Sequence, residues 1–312
     1  MTWNPAKLPD QTGRTIVVTG ATAGIGYFAA EQLAAAGADV VLASRSAAKL
    51  AVAETAIRGQ VPDASLRSVV LELGSLASVD VAAAELAALP RLDTIVLNGG
   101  VMSMSGSATT EDGLPIMLGT HVVANIRLLA KILPTLASTA TARNSISRVV
   151  HTSTGYVAQY PTSVENLRRT SRIGIVAYTQ AKTATEVFAF ELERRLRAAG
   201  APIASLVVKP GVGVDAKTPQ RAGIRDATTP YQRNPYTPWA QGKDAAAWSA
   251  VRAVTDPAAQ GGEYYAPATG VKGSPIAIDP TPRTAVPTGD LAERVWRQLE
   301  ELAGVELTMP AS

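Results

Sequence analysis

The sequence predicts an α/β fold, a parallel sheet covered by helices on both faces, and three observations carry that prediction. Short apolar, β-branched runs alternate with longer alanine-rich amphipathic segments from residue 14 onward, which is the pattern of strands joined by crossover helices. The first run, Thr15-Ile16-Val17-Val18-Thr19, passes directly into a glycine-rich turn over residues 20–26 and then into a helix-like stretch. The residues able to do chemistry, among them Gly20, Arg45, Asn98, Ser153 and Pro210, all stand just after strand-like runs. In an open parallel sheet, that edge is where ligands bind.

Taken in order, strands are expected over 14–19, 39–43, 68–73, 92–97, 146–153 and 203–208, with a short last one over 263–265. Helices are expected over 25–36, 47–58, 75–89 (capped by Ser75), 114–136, 174–199, 244–254 and 291–302. Because parallel crossovers are right-handed, this order gives a single-domain, doubly wound Rossmann-type sheet with a C-terminal helix. Residues 14–155 would form the dinucleotide-binding part and 156–312 the catalytic and substrate part. After Pro210 the pattern breaks. Residues 211–239 hold Pro219, Pro230, Pro235 and Pro238 without clean periodicity, and a loop of this length inside a compact domain is usually a lid or binding loop. Its Tyr231, Tyr236 and Trp239 would line an apolar pocket for a bulky lipophilic substrate, or else simply pin the loop to the surface.

Composition narrows the function classes. A chain of 312 residues with 46% hydrophobic and 18% charged residues has enough apolar matter for one sizeable core and is not disordered. The net charge is only +3 despite a pI near 9.1, and the basic residues are scattered, so nucleic-acid binding is disfavoured. Without cysteine there is no disulfide, thiolate site or cysteine nucleophile, and with only His121 and His151 a multi-histidine metal site is not expected. No uninterrupted apolar run reaches the length of a membrane span, and residues 1–10 lack the apolar stretch of a signal peptide, so a cytoplasmic location is expected.

Two motifs carry chemistry. In the turn Thr19-Gly20-Ala21-Thr22-Ala23-Gly24-Ile25-Gly26, Gly20 can take the strained turn, Gly24 lets backbone approach a phosphate, and Gly26 permits close helix packing. The backbone of Thr22, Ala23 and Ile25 would share that phosphate cradle at the positive end of the helix dipole. The second motif is Tyr178-Thr179-Gln180-Ala181-Lys182. Residues four apart share a helix face, and an ammonium beside a phenol favours the phenolate, so the pair suits general acid–base work. By itself Y-x-x-x-K is common and equally describes an exposed helix pair.

In order along most of the chain, these motifs resemble those of the short-chain dehydrogenase/reductase family, in its retinol-dehydrogenase-like and protochlorophyllide-reductase-like branch. The other matching pieces are Leu97-Asn98-Gly99-Gly100, Ser153-Thr154, Pro210-Gly211, Gly261-Gly262-Glu263-Tyr264-Tyr265 and Val295-Trp296. The resemblance implies hydride transfer between a nicotinamide cofactor and a carbonyl or secondary alcohol. Tyr178 would exchange the proton, Lys182 would assist it and hold the nicotinamide ribose, and Thr154, with Ser153 as the alternative, would donate to the substrate oxygen. Asn98, Gly99, Pro210, Gly211 and Val212 would line the cofactor, and Glu72-Leu73 would lie near the adenine. Ser44 and Arg45 occupy the end of the second strand where an acidic residue would select NAD; a serine and an arginine suit a 2′-phosphate, which favours NADP.

Two departures stand out. His121 falls thirteen residues before Pro134, where this branch has an asparagine of the proton relay; it would relay protons itself or be a neutral helix histidine, with Asn125 one turn on as a substitute. Asp215 replaces a threonine that contacts the carboxamide. The resemblance further implies a homodimer or homotetramer, for which Val187-Phe188-Ala189-Phe190 would serve as an interface or equally as a core face. The alternative function is a non-catalytic NADP-binding sensor or partner-binding module, motivated by His121. Reduction of a carbon–carbon double bond is a third reading, weakened by the lack of cysteine.

Overall fold

The structure is a computed structural model, and it describes residues 3–226 and 237–311. Eight strands are present: β1 (Thr15–Thr19), β2 (Asp39–Ser44), β3 (Leu66–Val70), β4 (Thr94–Leu97), β5 (Ser147–Thr152), β6 (Ile203–Val208), β7 (Tyr264–Pro267) and β8 (Pro275–Ile278). They form one sheet in the order β3-β2-β1-β4-β5-β6-β7-β8. Every pairing is parallel except β7 with β8. The winding reverses between β1 and β4, and their C-terminal ends open the crevice in which such folds take ligands.

Alternation within each strand sorts the two faces. On one, Ile16, Val18, Val40 and Leu42 pack against α1 (Gly24–Ala35), α2 (Ala47–Arg58) and, nearer β5 and β6, the helix Trp248–Thr255. On the other, Val17, Val41, Ile95 and Val149 pack against α3 (Leu76–Ala87), the helix Ala124–Ala142, the helix Gly174–Ala198 and the C-terminal helix Leu291–Ala303. Burial on both faces is why the central strands are apolar without interruption.

In chain order the remaining helices are α4 (Ile116–Leu118), α5 (Ala124–Ala142), α6 (Tyr156–Gln159), α7 (Gly174–Ala198), α8 (Lys243–Ala246), α9 (Trp248–Thr255), α10 (Pro282–Ala285) and α11 (Leu291–Ala303). The helix expected over 114–136 starts as α4, widens into a π turn at Gly119–Val123 and runs on as α5 to residue 142. Residues 116–142 are long and apolar enough to cross a membrane, with mean hydropathy 1.5, but 78% of their most apolar 18-residue window is buried inside the protein. It is an interior helix covering the sheet.

Several expectations need correction. Ser75 stands at the N-cap of α3, yet its side chain makes no cap; the Asp112 carboxylate accepts from the Leu76 amide instead, at 2.9 Å. β3 ends at Val70, so Glu72 and Leu73 lie in the turn beyond it. β8 was not legible, because it is short and half exposed and pairs antiparallel at the sheet edge. The face Val187-Phe188-Ala189-Phe190 is covered by its own chain: Phe188 stacks on Trp296 at 5.1 Å, and Phe190 packs with Val207 and Tyr264. Here the core reading holds, and the stretch offers nothing to a second copy.

Candidate active site

The glycine-rich turn is held together by Thr19, the last residue of β1. Its hydroxyl accepts from the amides of Asn98 (3.0 Å) and Gly99 (2.9 Å), while Asn98 Nδ2 donates to the Thr19 carbonyl. The turn after β1 is thereby fastened to the turn after β4. Gly20 sits at φ +69°, and a Cβ there would stand 2.9 Å from Gly99 Cα; on Gly26 it would stand 2.4 Å from the Gly20 carbonyl oxygen. Only glycine fits either position. Ala23 caps α1 without any side-chain hydrogen bond, so the first amides of Gly24, Ile25 and Gly26 open on the crevice. This cradle fits a dinucleotide pyrophosphate.

Around it the structure gathers most of the expected cofactor residues. Thr22 and Ser44 hydroxyls meet at 3.0 Å, joining the turn to the end of β2. Arg45 is well exposed and reaches Glu72 across the ends of β2 and β3, at 3.8 Å. Glu72 is also fixed locally, accepting from the Gly74 amide at 2.7 Å, and Leu73 packs against Gly99. On the far side, Pro210 accepts from Gln241 Nε2, and Val212 exchanges backbone bonds with Val271 and Gln241. Gly211 lies at φ +70°, where a Cβ would collide with the Val271 carbonyl oxygen. Asp215 binds Lys243 at 2.6 Å, and the Lys243 side chain passes Gly24. From the loop expected over 211–239, Trp239 is exposed, whereas Tyr231 and Tyr236 lie outside the described residues.

The second half of the site is built on α7. Tyr178 and Lys182 share one face, with Lys182 Nζ 5.9 Å from the phenol ring centre. Thr154, just after β5, is close enough to Tyr178 to lower the phenol's pKa. Ser153, adjacent in sequence, donates instead to Glu186 Oε1 at 2.5 Å. Lys182 is 3% exposed and donates to the Thr152 carbonyl at 2.6 Å; burial lowers its pKa to about 7, opposed by the Glu186 charge. The sequence expectation that Lys182 draws the tyrosine down is not met by the chain itself. Burial dominates and pushes Tyr178 up to about 12, against the lowering effect of Thr154.

His121 sits in the π turn, edge-on to Tyr178 with ring centres 5.4 Å apart. Its Nε2 lies 3.1 Å from the Val101 carbonyl, while Nδ1 has no partner among the described residues. Burial, with Lys182 nearby, holds its pKa well below 6.5, so the ring is neutral. Asn125 donates to the His121 carbonyl at 2.8 Å, one helical turn on, rather than pointing to Lys182.

Sequence reasoning missed Glu186. It is fully buried and accepts from three hydroxyls, those of Ser153, Tyr264 (2.8 Å) and Thr284 (2.8 Å), which come from the turn after β5, from β7 and from α10. Its spacing, four residues after Lys182, was the one available signal; the three donors are scattered over the chain.

The family profile described as short chain dehydrogenase matches residues 14–226. Polyprenol dehydrogenase of Mus musculus is 37% identical over 223 residues, covering 71% of this chain and 66% of that protein. Retinol dehydrogenase 13 of Homo sapiens is 32% identical over 202 residues, covering 64% of this chain and 59% of that one. The chain therefore spans less than two thirds of the length of either relative. Among solved structures, an uncharacterized protein from Mycobacterium paratuberculosis superposes with a TM-score of 0.76 at 26% identity, covering 99% of this chain and 100% of that one. An NADP active-site complex of Pseudomonas aeruginosa RhlG superposes with a TM-score of 0.52 at 26% identity over 65% of this chain and 74% of that one. The profile covers more than half of the chain and spans both the glycine-rich turn and the Tyr178–Lys182 helix, so the chain belongs to the short-chain dehydrogenase family.

Proposed function

We propose that this protein is an NADP(H)-dependent oxidoreductase acting on a carbonyl or secondary alcohol, with Tyr178 as the proton donor and acceptor. The observation that carries the reading is the placement of Tyr178 and buried Lys182 on one face of α7, with Lys182 Nζ 5.9 Å from the phenol ring centre. The residues of the glycine-rich turn hold the cofactor's pyrophosphate, and Ser44 with Arg45 faces its 2′-phosphate. Once bound, the cofactor supplies or accepts the hydride. Tyr178, protonated through the neutral range, suits proton donation to a carbonyl oxygen. Thr154 orients the phenol and shares the developing oxyanion. Lys182, one helical turn from the phenol, offers donors to the ribose.

The substrate class we infer is lipophilic. Met102, Met104 and Ile173 are exposed apolar side chains near the Tyr178 end of α7, and Trp239 is exposed as well. The Met102–Met104 loop is fastened to the start of α7 by a bridge between Ser105 and Ile173. The relatives named for polyprenol and retinol act on apolar alcohols, in agreement with that inference. The RhlG complex with NADP supports the cofactor assignment.

The test is a fluorescence titration with NADPH and NADH, followed by turnover of long-chain ketones and aldehydes. Tighter NADPH binding with ketone-dependent oxidation is expected. Tyr178→Phe should abolish turnover and spare cofactor binding. Unchanged turnover in that variant sinks the mechanism, and cofactor binding without turnover of any carbonyl moves the protein to the sensor class.

A further inference from the structure

Tyr178, Lys182 and Glu186 follow one another at intervals of four on α7, so a phenol, an ammonium and a carboxylate form a ladder down one helix face. The two lower rungs are buried, Lys182 at 3% and Glu186 at 0% exposure. A buried ammonium needs a compensating charge, and the carbonyl of Thr152, to which Lys182 donates, is neutral.

Three hydroxyls converge on the Glu186 carboxylate: Ser153 and Tyr264 on Oε1, and Thr284 on Oε2. Donors gathered in this way are arranged for an anion. The charged and titratable groups facing this pair come from each element packed on it. They are His151 on β5, buried behind Lys182; His121 in the π turn; Tyr264 on β7; and Lys209 at the end of β6, whose Nζ lies 6.0 Å from the Tyr264 ring. Burial holds both histidines neutral, and Lys209 is only half buried. Burial pushes the Glu186 carboxyl up, while its three hydroxyl donors and Lys209 pull it back down, so Glu186 is the acidic group on the inner side of Lys182.

We propose that Glu186 is a positioning residue of this site, acting as the buried counter-charge that keeps Lys182 an ammonium while Ser153 ties it to the β5 turn carrying Thr154. The proposal rests on the function inferred above for Lys182. It assigns Ser153 to Glu186 and so leaves the adjacent hydroxyl to the substrate side.

The test follows Lys182 directly, by 13C NMR of the lysine Cε groups, with the signal assigned by its loss in Lys182→Met. In Glu186→Gln the Lys182 titration midpoint should fall by about one pH unit or more, as expected on losing a near opposite charge. The alkaline limb of NADPH binding should move down with it. Tyr264→Phe removes one hydroxyl but keeps the charge, and both readouts should stay at the wild-type position. A folded Glu186→Gln with an unmoved Lys182 midpoint overturns the proposal and leaves Glu186 a structural anchor. If Glu186→Gln does not fold, the wild-type infrared spectrum decides: the other buried carboxylates, Glu31, Asp93, Glu193 and Asp256, all face arginines. A protonated-carboxyl C=O band at pH 7 would then overturn the proposal, and its absence supports an ionised Glu186. Wild-type protein that shows the NMR shift but binds no NADPH fails the proposed function while leaving the charge pairing intact.

Discussion

Ser153 and Thr154 are neighbours in the chain but serve different partners. The Ser153 hydroxyl donates to buried Glu186 at 2.5 Å, whereas Thr154 acts on Tyr178 and lowers the phenol's pKa. The turn at the end of β5 thus faces the Glu186 cluster with one residue and the Tyr178 phenol with the next.

Substitution should separate those two duties. Thr154→Ala is expected to lower kcat for ketone reduction by about 10²-fold or more, the usual cost of losing an oxyanion donor, with NADPH affinity unchanged. Ser153→Ala should instead cost about 1–3 kcal/mol of stability, because Glu186 loses one of its donors while remaining buried. Steady-state kinetics and urea denaturation of both variants check this, and an equal kcat loss in the two would refute the division.

Gly100 faces the His121 ring so closely that an added Cβ would stand 2.0 Å from Cε1. Gly100→Ala must therefore displace the imidazole that packs on Tyr178, at a cost of about 1–3 kcal/mol for overpacking. In a His121→Ala background the same change should cost much less, and a double-mutant cycle measures the coupling.

Acid should weaken the fold in a defined window. His151 is buried and neutral, its pKa lowered from 6.5 to about 3 by burial, and His121 is lowered in the same direction. The unfolded chain takes up protons on both below pH 6.5, and the folded chain does not. Stability is therefore full above that pH and is lost progressively as pH falls toward 3. Urea midpoints measured from pH 7.5 to 4 should show this slope, and His151→Leu should flatten part of it.

Arg45 is 67% exposed on its side chain and pairs loosely with Glu72, so it contributes little to stability. Arg45→Ala should leave the melting temperature unchanged and weaken NADPH binding by about tenfold, as expected on losing a charge-assisted bond to phosphate. NADH binding should be unaffected. A parallel loss for both cofactors would mean that Arg45 holds the adenosine in general and does not read the 2′-phosphate.

Much of this was written locally in the chain. Strand and helix periods, the glycines of residues 20–26 and the spacing of Tyr178 and Lys182 are short-range features. Each is dictated by steric or helical geometry over a few residues, so α/β order, the phosphate turn and the shared face of α7 follow from sequence.

Other features depend on residues far apart in the chain meeting in space. Ser153, Glu186, Tyr264 and Thr284 form one cluster only because β5, β7, α7 and α10 converge. The hydroxyl that faces Tyr178, the Asp112 cap on α3 and the antiparallel edge strand β8 have the same origin. Even the ionisation of the Tyr178–Lys182 pair is a tertiary matter. Spacing places the ammonium beside the phenol, but the depth of burial, which no local pattern encodes, raises the phenol to about 12 and lowers the amine to about 7.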